Sequence, residues 1–168
     1  VNKKINLNSF VEGGTGSNSA SALQPEILPD KFESGTPNIP GIIGLSSAID
    51  FIKTNGVERI FNHEKKLLKY LQNNLQYNNK VLLYTDFNNE NCNLAPILSF
   101  NVKNMHSEEF AQQLSDYKIA VRAGLHCAPL AHKKFNTAEM GTVRISPSIF
   151  TKKTDIDFLI KCVRKIAK

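Results

Sequence analysis

With 168 residues, 41% of them hydrophobic and 21% charged, the chain has the makeup of an ordinary globular protein rather than a disordered or fibrous one. Its formal charge of +6 is spread over single lysines and pairs such as Lys65-Lys66 and Lys133-Lys134, with no long basic run and no interleaved aromatics, which argues against a nucleic-acid platform. No apolar run approaches the ~18 residues of a membrane span, and Cys92, Cys127 and Cys162 form no CxxC pair, which argues against a zinc ribbon or disulfide framework and fits a reducing cytoplasm.

The chain opens on VNKKINL, which reads like a strand joined midway, so a fragment of something larger is expected. Residues 1–38 are rich in Gly, Ser, Thr, Asn and Pro and show little helical periodicity. Asn38 then supplies a cap and Pro40 a first-turn residue, and Ile42, Leu45, Ile49 and Ile52 form an apolar stripe that Gly56 ends. A second helix carries Ile60, Leu67, Leu71 and Leu75 on one face, and Asn73, Asn74, Asn78 and Asn79 close it. From residue 80 the period changes: 80–85 and 97–102 read as strands, joined by an Asn-rich loop. Ser107 opens a helix with Phe110 and Leu114, and 119–122 and 142–146 read as two more strands flanking the Cys127 loop. Thr154, with Asp157 three residues on, is expected to cap a last helix whose stripe is Ile156, Leu159, Ile160 and Val163. This order predicts an α/β or α+β domain, a short mostly antiparallel sheet covered by helices, behind a two-helix arm. The expected division is 1–38, 39–77 and 78–168.

Three segments are able to carry chemistry. Gly13-Gly14-Thr15-Gly16-Ser17 offers backbone N–H groups and two hydroxyls to a phosphate, or is a plain turn; it is neither a Walker loop nor GxGxxG. Arg144, in Gly141-Thr142-Val143-Arg144-Ile145-Ser146, shares a strand face with Thr142 and Ser146, where a guanidinium clamps a carboxylate or pairs with an Asp or Glu of its own chain. Arg122 carries the same two readings. Residues 122–132, Arg-Ala-Gly-Leu-His-Cys-Ala-Pro-Leu-Ala-His, hold a cysteine beside a histidine in a Gly-containing loop. The thiolate is the reactive form, and a free thiol with a pKa near ~8.5 needs such help at neutral pH. Cys127 is therefore either a nucleophile or a small buried hydrophobe. His126, Cys127 and His132 match no standard zinc spacing, so no metal is expected.

Three stretches, EGGTGSNSASALQPEILPDKFESGTPNIPGIIGL, VRAGLHCAPLAH and GTVRISPSIFTKKTDID, occur in an order and at separations that resemble the C-terminal part of the class V aminotransferases, specifically their cysteine desulfurase-like branch. The resemblance spans nearly the whole chain. It implies the type I fold and the cofactor pyridoxal 5'-phosphate, with L-cysteine converted to L-alanine and a persulfide left on Cys127. It further implies that Arg144 binds the substrate α-carboxylate, that Arg122 lines the site, and that His126 carries protons or anchors the loop. Gly14, Thr15 and Gly16 are similar to the loop that contacts the cofactor phosphate of the other subunit, so the resemblance implies a homodimer with shared sites, an amino-acid substrate and a sulfur-acceptor protein. Related implied activities are aminotransfer and selenocysteine lyase or other β-elimination; a truncated, non-catalytic scaffold is the alternative outside enzymes. The family's Schiff-base lysine follows a histidine shortly before the glycine loop. Lys3 and Lys4 precede the loop without such a histidine, and neither is given that role. The expectation is the small domain plus the tail of the large one, inactive alone.

Overall fold

The computed structural model describes residues 5–89 and 94–167; Lys3, Lys4 and Cys92, singled out above, lie outside the described residues. The chain divides into two compact units, Val1–Thr54 and Asn55–Lys168.

In the first unit an irregular stretch leads into α1 (Ile39–Asn55). Asn38 caps it as expected, its Oδ1 accepting the Gly41 N–H at 3.0 Å. The helix has the expected apolar stripe yet buries no residue: Ile42 is 57% and Leu45 63% exposed. Gly56, at φ 80°, separates it from α2, a left-handed conformation that glycine adopts without a Cβ clash.

The second unit holds α2 (Val57–Leu75), β1 (Val81–Leu83), β2 (Leu98–Val102), α3 (Ser107–Asp116), α4 (Pro129–Lys134), β3 (Val143–Ile145) and α5 (Lys153–Ile166). The strands form one antiparallel sheet in the order β1-β2-β3, with Leu83 opposite Phe100 and Phe100 opposite Val143. Alternation sends Leu98, Phe100, Val143 and Ile145 to one face, where they are buried with Leu68, Leu71 and Leu75 of α2, Phe110 and Leu114 of α3, and Ile156, Leu159, Ile160 and Val163 of α5. Phe100 meets Phe110 edge to face, ring centres 5.6 Å apart. The other face of the sheet presents Ser99 and Arg144, directly paired across β2 and β3. The small α/β domain with a short antiparallel sheet matches the sequence expectation.

Three local readings differ. Residues 119–122 form no strand; Arg122 makes a single bridge with Arg144, because the chain leaves α3 through left-handed Lys118 and turns away. Pro129 starts a helix, α4, in what reads as loop. The last helix is capped two residues earlier than expected: Asp155 Oδ2 accepts the Lys152 N–H at 2.8 Å. Asp157 instead accepts bonds from Tyr70 Oη at 2.6 Å and Lys153 Nζ at 3.0 Å, clasping α5 to α2. Among the described residues no helix is long and apolar enough to cross a membrane.

Candidate functional site

The candidate residues fall in both units. In the first unit, Gly13 to Ser17 is held by its own neighbours: Gln24 Oε1 accepts the Gly13 N–H at 3.2 Å, and the Gly14 carbonyl accepts from Gly35 at 2.9 Å. Thr15 Oγ1 and Ser17 Oγ lie 2.8 Å apart. Nothing stands within 4 Å of where a Cβ would project from Gly14 or Gly16, and Gly16 is at φ 79°. The loop, together with Gln24, borders a cavity of about 370 Å³. Backbone donors and hydroxyls at its edge, with no side chain over Gly14 or Gly16, suit a phosphate-sized anion. Gln24, which braces the loop, carries no motif by which the sequence marks it.

In the second unit, the loop from Arg122 to Ala128 connects the Arg122–Arg144 bridge to α4. Arg144 donates its N–H to the Arg122 carbonyl at 2.8 Å, and Arg122 returns the bond at 3.3 Å. Thr142 donates its N–H to the Gly124 carbonyl at 3.1 Å. Gly141, at φ 62°, crosses Gly124 so closely that a Cβ on it would stand 2.8 Å from the Gly124 Cα. His126 and Cys127 are both left-handed, at φ 53° and 57°, a conformation costing a non-glycine residue on the order of 1–3 kcal/mol and concentrated at functional sites. The thiol they carry is exposed, unlike the buried Cys162. Cys127 is thus not a packed hydrophobe.

Behind this loop lies a cavity of about 210 Å³ lined by His126, Ala128, Phe135, Tyr84, Ser99 and Arg144, among others. Cys127 does not line it, although both of its neighbours do. Tyr84 and Phe135 form its aromatic wall, ring centres 5.8 Å apart, and burial raises the Tyr84 hydroxyl above its usual pKa. The Arg144 Nε is buried with no hydrogen-bond partner. Among the described residues the ion pairs are Lys31–Glu26 and Lys153–Asp157, so no carboxylate of those residues takes up Arg144 or Arg122. The expected alternative, an internal ion pair at either arginine, is not found there. A half-buried guanidinium with an unpartnered Nε at a cavity has the chemistry to take a carboxylate.

His126 sits between these parts. Its Nε2 lies 2.9 Å from the Thr142 carbonyl oxygen and 3.1 Å from Thr142 Oγ1. A carbonyl only accepts, so the proton is on Nε2 and the lone pair of the neutral ring is on Nδ1, which is buried and unpartnered. Burial, opposed by the Thr142 bond and reinforced by Arg144, Arg122 and His132, holds the imidazole below the usual histidine pKa. At neutral pH it is an uncharged acceptor. His132, whose ring centre is 5.9 Å away, is buried and bonded to Thr137 Oγ1 at 2.8 Å.

The structure thus brings Cys127, His126, Arg122 and Arg144 together on one loop and the strand it bridges. It adds Thr142, Tyr84 and Phe135, which the sequence reading does not assign to a site. Only Thr142 carries a signal there, through its shared strand face with Arg144.

The family model described as aminotransferase class-V matches residues 4–159. The chain is 35% identical over 141 residues to a cysteine desulfurase of Wigglesworthia glossinidia brevipalpis, covering 84% of this chain and 33% of that protein. It is 38% identical over 140 residues to a probable cysteine desulfurase of Borreliella burgdorferi, covering 83% and 32%. The chain therefore spans about a third of the length of these curated relatives. Its structure resembles that of the apo cysteine desulfurase from Thermococcus onnurineus NA1 with a TM-score of 0.71 at 34% identity, over 83% of this chain and 34% of that one.

Proposed function

The chain belongs to the class V aminotransferases, and on that premise we propose that it is the C-terminal, sulfur-accepting part of a cysteine desulfurase using pyridoxal 5'-phosphate. The residues present fit that cofactor where this chain would meet it. Thr15, Gly14 and Gly16 would hold its phosphate with two open glycines and a paired hydroxyl, presented to a second copy of the protein in a homodimer. The lysine that anchors the cofactor is assigned to no residue of this chain. When bound, the cofactor supplies an electron sink that labilises bonds at the substrate α-carbon.

The chain's own residues do the rest. Arg144 clamps the α-carboxylate of L-cysteine and Arg122 adds positive potential at the mouth, fixing the substrate where misplacement by ~1 Å costs about a hundredfold in rate. His126, neutral with its lone pair on Nδ1, takes and returns protons in the loop. The Cys127 thiolate attacks the substrate sulfur. An S–S bond forms as the substrate C–S bond breaks, the bonding pair stays on carbon, and protonation there yields alanine while the persulfide remains on Cys127. An exposed loop thiol then passes its sulfur to an acceptor protein. Residues 1–38 belong in this reading to the large cofactor-binding domain, 39–77 to the connecting arm and 78–168 to the small domain, in a protein of the reducing cytoplasm. The chain by itself is inactive.

The observation that carries the proposal is the unpartnered Nε of Arg144 on a cavity lined by both neighbours of an exposed, strained Cys127. In the intact protein carrying this chain, Cys127→Ala should abolish alanine release and protein-bound persulfide, read by amino-acid analysis and intact mass, while cofactor absorbance persists. Undiminished alanine formation by that variant rejects the assignment.

A further inference from the structure

Cys127 and His126 both occupy a backbone region that their side chains disfavour, so something outside the loop must hold them there. The contacts converge on one residue. Thr142 is only 5% exposed and touches the loop three times: its N–H reaches the Gly124 carbonyl, while its carbonyl and its hydroxyl both face His126 Nε2. Thr142 is itself tied to the core through its neighbour, because Asn101 of β2 donates Nδ2 to the Gly141 carbonyl at 2.8 Å within a buried setting. A path of hydrogen bonds therefore runs from the central strand through Gly141 and Thr142 to the residue preceding the thiol.

We propose that Thr142 is the positioning residue of the Cys127 loop: it keeps the His126 ring in one orientation, proton on Nε2 and lone pair on Nδ1, and so maintains the left-handed turn that presents the thiol. This rests on Cys127 being the reactive group but not on the identity of the substrate. The carbonyl of residue 142 fixes the tautomer and survives any substitution. The hydroxyl supplies a second acceptor 3.1 Å from Nε2 that restrains the ring, and side-chain replacement removes it. Positive groups around the ring, Arg144, Arg122 and His132, favour the uncharged form that this arrangement needs.

The test uses the 168-residue chain and needs no bound cofactor. Nitrogen-15 NMR of the His126 ring reports the tautomer, and peptide mass spectrometry after iodoacetamide treatment reports the alkylation rate of Cys127 separately from Cys92 and Cys162. The wild-type chain should show the Nε2–H tautomer. Thr142→Val should slow Cys127 alkylation at neutral pH by about threefold to tenfold, the population change that one lost hydrogen bond supports, and broaden the His126 ring resonances. Thr142→Ser should restore both. An Nδ1–H tautomer in the wild type overturns the proposal even if the valine variant fails to fold. An unchanged or faster alkylation rate in a folded Thr142→Val chain overturns it as well, as does failure of the serine variant to recover. Loss of desulfurase turnover in the intact protein plays no part in these readouts, so the proposed function and this role of Thr142 fail by different observations.

Discussion

Residues 5–54 and 55–167 carry similar local signals and very different energetics. The first contains one well-formed helix rich in apolar residues and the second several, yet no described residue of the first region is buried, whereas the second holds the entire core. The first keeps its shape by short-range hydrogen bonds such as those of Gln24 and Asn38. The second keeps it by packing, and fixes its site by long-range bonds anchored in that packing. Local chemistry suffices to set a backbone path; it takes a core to aim a side chain. The division suits the candidate roles. A glycine loop binding through backbone donors needs only a path, while Arg144 and Cys127 need aim.

The sharpest way to break this contrast is paired truncation. Phe100→Ala should destabilise the chain by about 3–5 kcal/mol in chemical denaturation, as a fully buried aromatic leaving a cavity does. Next in size is Gln72→Ala. That buried side chain bridges Asp86 Oδ1 and the Phe87 N–H, both at 2.7 Å, so its loss should cost about 1–3 kcal/mol by leaving polar groups unpaired. A smaller effect should appear with pH. The folded pKa of His126 lies below its unfolded value near ~6.5, so the unfolded chain binds more protons in that window. The His126 contribution is therefore complete above the unfolded pKa and is lost as pH falls towards the folded one. The melting temperature should decline with acidification through that range, and His126→Gln should flatten the decline; a steeper decline in the variant would reverse the sign of the argument. Smallest of all, Ile49→Ala in α1 should change stability by no more than about 0.5 kcal/mol. If it matched Phe100→Ala, the two regions would not differ as described.

Much of this was legible in the residues, and what was not has physical reasons. The 3.6-residue spacing of Leu67, Leu71 and Leu75 and of Ile156, Leu159, Ile160 and Val163 marks buried helix faces, and the structure buries them. Periodicity says which residues share a face but not what covers it: in α1, Ile42, Leu45, Ile49 and Ile52 share one face with Ile39, Ile43 and Phe51 elsewhere around the helix, and all are exposed. Short elements are hardest: α4 is six residues, too few to show a period, and 119–122 has strand-like composition but meets a partner only at Arg122. The cap of the last helix is ambiguous in the residues because Thr154-to-Asp157 and Lys152-to-Asp155 share the same spacing, and only geometry chooses. At the candidate site, the loop chemistry of His126 and Cys127 is contiguous and visible. The free edge of Arg144, the grip of Thr142 and the Tyr84–Phe135 wall arise between residues far apart in the chain, where no local pattern records them.

The left-handed backbone at Cys127 has a consequence for anyone improving this protein. Glycine is the residue best suited to that torsion, so Cys127→Gly should melt close to the parent, relief of about 1 kcal/mol of steric conflict offsetting the added entropy of the unfolded chain. Selection for heat tolerance alone would thus do nothing to keep the sulfur, and a library screened without a chemical readout would drift towards sturdy variants that, on the proposed function, are inert.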